Sequence, residues 1–328
     1  MKVAINGFGR IGRLTFRNLF DREGVQIVAI NDLTDTQTLA HLLQYDTAHR
    51  KYNHEVSYDD KHIIVDGQAI PVFAEKEALV LPWAKLGVQT VAECTGRYKT
   101  KEKAMQHVQA GAKRVVISAP ATSDIKTVVM GVNDAEIEDS DLIISNASCT
   151  TNCLAPMAKL IEDNFGIEVG FINTVHAYTS DQNLQDSPHE DLRRARSAAN
   201  SIIPTTTGAA KAVGWVIPSL KGKLDGVATR VPVITGSLTD FTFMSKTDIS
   251  IEAIQKIFRE AALGSFKGII QYTEEPLVSS DIISSPYSCI FQGELIQVNG
   301  RLVKLIAWYD NEFGYSSRMA DLIIKLSK

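Results

Sequence analysis

The tightest constraint on the fold lies in the first dozen residues. Val3, Ala4 and Ile5 form a short apolar run, Gly7-Phe8-Gly9-Arg10-Ile11-Gly12 follows at once, and Ile11, Leu14, Phe16 and Leu19 continue with helical spacing. G-x-G-x-x-G between a strand and a helix is a dinucleotide fingerprint: Gly7 makes the tight turn, Gly9 lets a pyrophosphate approach the backbone, and Gly12 lets helix pack on strand. A second apolar run, Ile27 to Ile30, leads to Asn31-Asp32, twenty residues beyond Gly12. An acidic residue there binds the ribose hydroxyls of an adenine dinucleotide and repels a 2′-phosphate, which favours NAD over NADP.

Further strand-like runs follow at 63–65, 72–73, 91–92, 115–117, 128–130 and 142–144, with helix patterns at 38–43 and 103–110 between some of them. Such alternation predicts an α/β unit with a doubly wound, mostly parallel Rossmann-type sheet, whose ligands bind beyond the strand C-termini. Cys94-Thr95-Gly96-Arg97 and Ser118-Ala119-Pro120 are the loops expected there. The second half changes texture: strand-like segments at 169–175, 227–233, 238–244, 288–291 and 303–308 surround one helix pattern, 251–262. This reads as an α+β catalytic domain with a mainly antiparallel sheet. The helix-like end, 313–328, is expected to return to the first domain. The expected division is therefore 1–148 with 312–328 for NAD, and 149–311 for catalysis.

Net charge is −4, and the densest basic cluster (Arg193, Arg194, Arg196) sits beside Glu190 and Asp191. A nucleic-acid surface is not expected from that balance. No apolar stretch approaches the ~20 residues of a membrane span, and no signal peptide is expected at the start. Four cysteines in 328 residues make no disulfide framework and suit a reducing, cytoplasmic compartment. Neither H-E-x-x-H nor paired C-x-x-C occurs, so no metal is expected.

The chemistry centres on Ser145-Asn146-Ala147-Ser148-Cys149-Thr150-Thr151-Asn152-Cys153, where an apolar run ends and a helix pattern (Leu154, Met157, Ala158, Ile161) begins. Ser148 is a good N-cap, which puts Cys149 in the first turn, where unpaired N–H groups and the helix dipole favour a thiolate. Taken singly, a cysteine is usually a buried, inert residue. Cys153, one turn on, reads that way. Of the seven histidines, most lie in polar, loop-like surroundings and read as surface residues. His176 ends an apolar strand, where both a packed and a functional role stay open.

These residues carry a resemblance. The cysteine stretch, the opening Asn6 to Arg13, His176-Ala177-Tyr178-Thr179-Ser180-Asp181-Gln182, the runs 191–196 and 203–211, and Trp308-Tyr309-Asp310-Asn311-Glu312 resemble phosphorylating glyceraldehyde-3-phosphate dehydrogenases, in order and over essentially the whole chain. The resemblance implies oxidation of glyceraldehyde 3-phosphate with NAD and inorganic phosphate to 1,3-bisphosphoglycerate, by a homotetramer in glycolysis or gluconeogenesis. It implies that Cys149 is the nucleophile, giving a thiohemiacetal and then a thioester, and that His176 is the acid/base. It further implies that Thr179 and Arg230, with Asp181 orienting Arg230, bind the substrate phosphate. Ser148, Thr150, Thr207 and Gly208, with Arg194 nearby, would receive the attacking phosphate. For NAD it implies Arg10 and Ile11 at the pyrophosphate, Asp32 at the adenosine ribose, Lys76, Thr95 and Ser118 along the cleft, and Asn311 at the nicotinamide carboxamide. The polar stretch 181–201 resembles a loop that reaches towards a neighbouring subunit.

Two departures stand out: Ser187, in the loop tied to the choice between NAD and NADP, and the segment Val233-Ile234-Thr235-Gly236-Ser237. The nearest rival is an erythrose-4-phosphate dehydrogenase of the same superfamily, in which hydrolysis replaces phosphorolysis. Tyr178-Thr179 and Thr207-Gly208 favour the phosphate-using reaction.

Overall fold

The structure, a computed structural model, describes residues 1–326; Ser327 and Lys328, which close the predicted last helix, lie outside the described residues. Two compact units divide the chain. Met1–Val128, Glu136–Ala147 and the segment from Ser316 onward make the first, and Val129–Ala135 with Ser148–Tyr315 make the second. Residues 129–135 thus group with the second unit, because the space beside Gly131 is filled by Phe266 and Ile269.

In the first unit β1 (Lys2–Asn6), α1 (Arg10–Phe20), β2 (Gln26–Asn31) and α2 (Thr36–Gln44) lead into a small meander, β3 (Val56–Tyr58), β4 (His62–Val65) and β5 (Gln68–Phe73). The chain continues through α3 (Trp83–Leu86), β6 (Thr90–Glu93), α4 (Lys101–Gln109), β7 (Arg114–Ile117), β8 (Lys126–Thr127) and β9 (Ile143–Ser145). One nine-stranded sheet results, in the order β3-β4-β5-β2-β1-β6-β7-β9-β8. Only the β3-β4 and β4-β5 pairs are antiparallel. The expected strand at 128–130 is not formed: the β8–β9 register ends at Thr127, Val128 N–H makes a last bond to the Ser145 carbonyl at 2.8 Å, and the Val132 N–H turns back to the Val129 carbonyl. Val3, Ala4, Ile5, Val91 and Ala92 are fully buried, as befits parallel strands covered on both faces. α1 adds Leu14, Phe16 and Leu19 to the core, each burial contributing about 1.5–3 kcal/mol. Strand order reverses at β1, with β2 on one side and β6 on the other, and a crevice opens beyond the ends of strands at such a point.

The second unit begins with α5 (Cys149–Asn164), followed by β10 (Ile167–Ala177), β11 (Ile203–Thr206), α6 (Ala209–Val216), β12 (Leu224–Val231) and β13 (Ser237–Ser245). Then come α7 (Ile251–Leu263), β14 (Ile270–Thr273), β15 (Cys289–Gln292), β16 (Gln297–Asn299) and β17 (Leu302–Tyr309). Its eight-stranded sheet runs β11-β12-β10-β13-β17-β15-β14, with β16 beside β17. β10-β12 and β14-β15 are parallel, and the other pairs are antiparallel. Strand β13 alternates buried and half-buried residues, so one sheet face is apolar. α5 packs on the sheet and on α6, with Cys153, Leu154, Met157, Ala158 and Ile161 fully buried. The last helix, α8 (Phe313–Lys325), passes at Ser316 into the first unit. Among the described residues, no helix is long and apolar enough to cross a membrane.

Candidate active site

The first unit holds a cleft of about 280 Å³ lined by Gly7, Gly9, Asp32, Lys76 and Thr95 together with Asn6, Asn31 and Arg97. It sits at the ends of β1 and β6, where the strand order reverses. Gly7 has φ +90°, and a Cβ there would lie 2.7 Å from the Thr95 nitrogen; only glycine combines that conformation with that approach. A Cβ on Gly12 would lie 2.0 Å from the Gly7 carbonyl oxygen, so helix and turn touch because the residue has no side chain. Beside Gly9 the space is open. α1 starts on Gly9 with no side-chain cap and no acidic residue in its first turn, the backbone setting that receives a pyrophosphate. Arg10 uses its guanidinium on Asp46, at 2.8 and 3.1 Å, so its part at an anion falls to the main chain. The Asp32 carboxylate accepts from Phe8 N–H at 2.7 Å and Thr34 N–H at 3.0 Å, which fixes it at the cleft wall. Ser118 closes the bonding of β7, donating its N–H to the Glu93 carbonyl at 2.9 Å. The residues present fit an adenine dinucleotide.

The second unit gathers the chemical side chains. Ser148 caps α5, its Oγ accepting from Thr151 N–H at 3.1 Å, and Cys149 is the first helical residue. Just before the cap, Ala147 is held at φ +56°, a conformation non-glycine residues rarely adopt. His176 Nε2 lies 3.4 Å from Cys149 Sγ. The ring's Nδ1 is 2.6 Å from the Ala177 carbonyl oxygen, so Nδ1–H donates there and Nε2 is the acceptor facing the thiol. The β10-β12 register sets His176 beside Arg230.

Arg230 Nη1 donates to Thr179 Oγ1 at 2.7 Å, and Thr179 in turn donates to Asp181. Asp181 pairs directly with Arg194, at 2.7 Å, and meets Arg230 through Thr179. The expected orientation of Arg230 by Asp181 is therefore indirect, because the shorter Thr179 side chain stands between them. Arg194 is also held by Thr205 Oγ1 at 3.0 Å. Thr150 is buried and pairs with Tyr309 Oη at 2.8 Å, which also meets Thr174 Oγ1 at 2.7 Å. Thr207 accepts from Ala209 N–H at 3.2 Å, and Gly208 is the N-cap of α6. Among the described residues, no group of His, Cys, Asp and Glu is placed to hold a metal ion.

Residues 148–311 match the family described as glyceraldehyde 3-phosphate dehydrogenase, C-terminal domain, and residues 1–101 its NAD binding domain. The chain belongs to the glyceraldehyde-3-phosphate dehydrogenase family. Its relatives include proteins of that name from Borreliella burgdorferi, 54% identical over all of both chains, and from Clostridium acetobutylicum, 51% identical over all of this chain and 98% of that one. Another, from Mycobacterium avium, is 51% identical over all of this chain and 99% of that one. As a member of this family the chain is an NAD-dependent oxidoreductase.

Several features of this dehydrogenase fold escape the sequence reading. Segment 233–237, seen only as a departure, braces Asn311: Oδ1 accepts from Gly236 N–H at 3.1 Å, Ser237 Oγ at 2.9 Å and Thr235 Oγ1 at 3.3 Å. Ser237 Oγ also accepts from Ala177 N–H, at 3.1 Å, so one hydroxyl fixes both Asn311 and the backbone beside His176. The stretch 181–201 is held by its own bonds, among them Ser187 N–H to the Ala195 carbonyl at 2.9 Å and Arg196 to Asp186 at 2.8 Å. His107 and His49 are buried, although most histidines were expected at the surface.

Burial and charge act on the same pair. Burial pushes the Cys149 thiol up to about 11, against the pull of the Arg230 cation. Burial, reinforced by Arg230, pushes His176 down to about 3. Burial thus opposes the cation at the thiol and acts together with it at the imidazole. Moving the proton from Sγ to Nε2 makes an ion pair in place, so the two groups titrate as a unit.

Proposed function

We propose that the chain catalyses the phosphorylating reaction, with Cys149 as nucleophile and His176 as its base. The observation that carries this is the 3.4 Å contact between Cys149 Sγ and a His176 nitrogen whose tautomer leaves it an acceptor. As Sγ adds to the aldehyde carbon, Nε2 takes the thiol proton and passes it to the new oxyanion, completing a thiohemiacetal. Nε2 then removes that hydroxyl proton as the carbon gives up its hydride, leaving a thioester on Cys149. NAD, when bound, supplies the hydride acceptor. A phosphate oxygen attacks the thioester carbonyl, the C–S bond breaks, and the thiolate recovers its proton. Splitting one acyl transfer into two steps is the gain from covalent catalysis, and the first N–H groups of α5 stabilise the oxyanion.

In this reading Arg230 and Thr179 take the substrate phosphate, with Asp181 and Arg194 bracing them. Ser148, Thr150, Thr207 and Gly208 belong to the attacking-phosphate site, with Thr150 acting through its amide because its hydroxyl is committed to Tyr309. Gly7, Gly9, Arg10, Ile11 and Gly12 hold the pyrophosphate; Asp32, Lys76, Thr95 and Ser118 line the rest of the cleft, and Asn311 meets the carboxamide. The first unit is the NAD domain and the second the catalytic domain, a division close to the expected 1–148 with 312–328 and 149–311 except that 129–135, Ser148 and 312–315 group with the second unit.

The chain works as a homotetramer in the cytoplasm. Exposed Val169, Phe171 and Val227 lie on one face of neighbouring strands, and Leu184 and Leu192 are exposed in the long loop; apolar patches of this kind support association. Four free cysteines suit a reducing compartment. The test is NADH formation from glyceraldehyde 3-phosphate with and without phosphate, run with NAD and NADP in parallel. Phosphate-dependent NADH formation is expected, and a rate indifferent to phosphate would favour the hydrolytic rival.

A further inference from the structure

Beneath the dinucleotide cleft lies a buried polar relay that the reaction does not use. Glu93, the last residue of β6, is 1% exposed, and His107 on α4 is 0% exposed. One carboxylate oxygen of Glu93 accepts from Thr95 N–H at 2.7 Å and from the Thr95 hydroxyl. The other accepts from Asn6 Nδ2 at 2.5 Å and from His107 Nε2 at 3.0 Å. The far nitrogen of the imidazole, Nδ1, faces Trp83 Nε1 at 3.0 Å. An indole N–H only donates, so Nδ1 accepts and the His107 proton stays on Nε2, pointing at Glu93. The relay therefore has one direction, Trp83 to His107 to Glu93, and every group around the carboxylate is a donor.

Burying an anion costs several kcal/mol unless all its lone pairs are met, and an apolar residue of similar volume is often no worse for stability. What the carboxylate adds is geometry. Thr95 is the residue whose nitrogen stands 2.7 Å from where a Gly7 side chain would begin. Asn6 passes the constraint on: its Oδ1 accepts from Asn31 Nδ2 at 2.7 Å, and Asn31 grips both the N–H and the carbonyl of Glu75 at 2.9 Å. Thr95 lines one side of the cleft, and Glu75 and Lys76 line another. A single carboxylate thus ties two walls to one point.

We propose that Glu93, aimed by His107 and Trp83, is a positioning residue that sets the shape, and hence the NAD affinity, of the cleft. The proposal rests on the cleft being the NAD site. In Glu93→Gln one oxygen becomes an NH₂ group facing donors, so the NAD Kd, followed by tryptophan fluorescence quenching on the full-length protein, rises about tenfold. KM for NAD rises with it, while kcat at saturating NAD and KM for the aldehyde stay within about twofold. His107→Leu, which removes both bonds, moves in the same direction, and His107→Gln, which keeps one donor and one acceptor, restores most of the affinity. An NAD Kd unchanged in Glu93→Gln or His107→Leu would overturn the proposal, as would loss of kcat with no change in NAD affinity. Should Glu93→Gln fail to fold, the contrast between His107→Leu and His107→Gln decides, and equal NAD affinity in the two would overturn the proposal. Failure of the parent protein to bind NAD would strike the cofactor reading itself, a different result from unequal binding among variants.

Discussion

The cleft of the first unit and the thiol site of the second meet negative charge in opposite ways. At the glycine turn of the first unit, Arg10 is committed to Asp46, whose carboxyl is held down to about 2. What faces the open side of that turn is main chain around glycines, with Lys76 and Arg97 on other parts of the cleft wall. In the reading proposed for the second unit, side chains carry the substrate phosphate: the guanidinium of Arg230 and the hydroxyl of Thr179, braced by Asp181 and Arg194. A backbone site is sensitive to added atoms, and a side-chain site is sensitive to lost ones.

Substitutions can break or sharpen that contrast. The largest effect is expected for Cys149→Ser, which should lower dehydrogenase activity more than about a thousandfold while NAD titrates normally. An active serine enzyme would end the covalent mechanism. His176→Asn should lower kcat about a hundredfold or more and slow alkylation of Cys149 at neutral pH, since the thiol proton loses its acceptor; unchanged alkylation would make His176 structural. Gly12→Ala attacks the other unit, forcing a methyl to within 2.0 Å of the Gly7 carbonyl oxygen. It should cost about 1–3 kcal/mol in urea unfolding and weaken NAD binding, and a fully stable Gly12→Ala with parental NAD affinity would refute the crowding argument.

The smallest effect tests the first unit away from its cleft. His54 bridges Asp66 at 2.6 Å and Asp21 at 3.0 Å, and the Asp66 bond, ahead of Asp21, raises its pKa. A raised folded value means that the stabilisation is full below the unfolded value of ~6.5 and fades as pH climbs through the folded one. The parent should therefore lose more stability than His54→Gln between pH ~6 and ~8, by less than about 1 kcal/mol. Parallel urea midpoints across that range would remove the bridge from the account.

Much of the first unit is readable from its residues because its site is local. Gly7, Gly9 and Gly12 lie within one turn and one helix start, and Asp32 follows the next strand. Position 149 was readable for the same reason, as a capped helix start. Nothing in spacing joins Cys149 to His176, and only family resemblance supplied that meeting beforehand; the pairing of Asp181 with Arg194 was not expected at all. Glu93 and His107 were invisible because a buried polar pair has no periodic signature. Segment 233–237 looked anomalous until Asn311, distant in sequence, was seen to be its partner.

The return of α8 has a consequence for how the protein is made. Met319, Ala320, Leu322 and Ile323 are fully buried, and from Ser316 onward the chain belongs to the unit that begins at Met1. On the ribosome, the first unit to emerge is therefore the last to be finished. Its early portion waits, with the seat for four apolar side chains uncovered, until α8 has been made, so folding cannot run strictly in chain order. A message cut short before codon 316 would leave that seat open, a surface suited to chaperone capture.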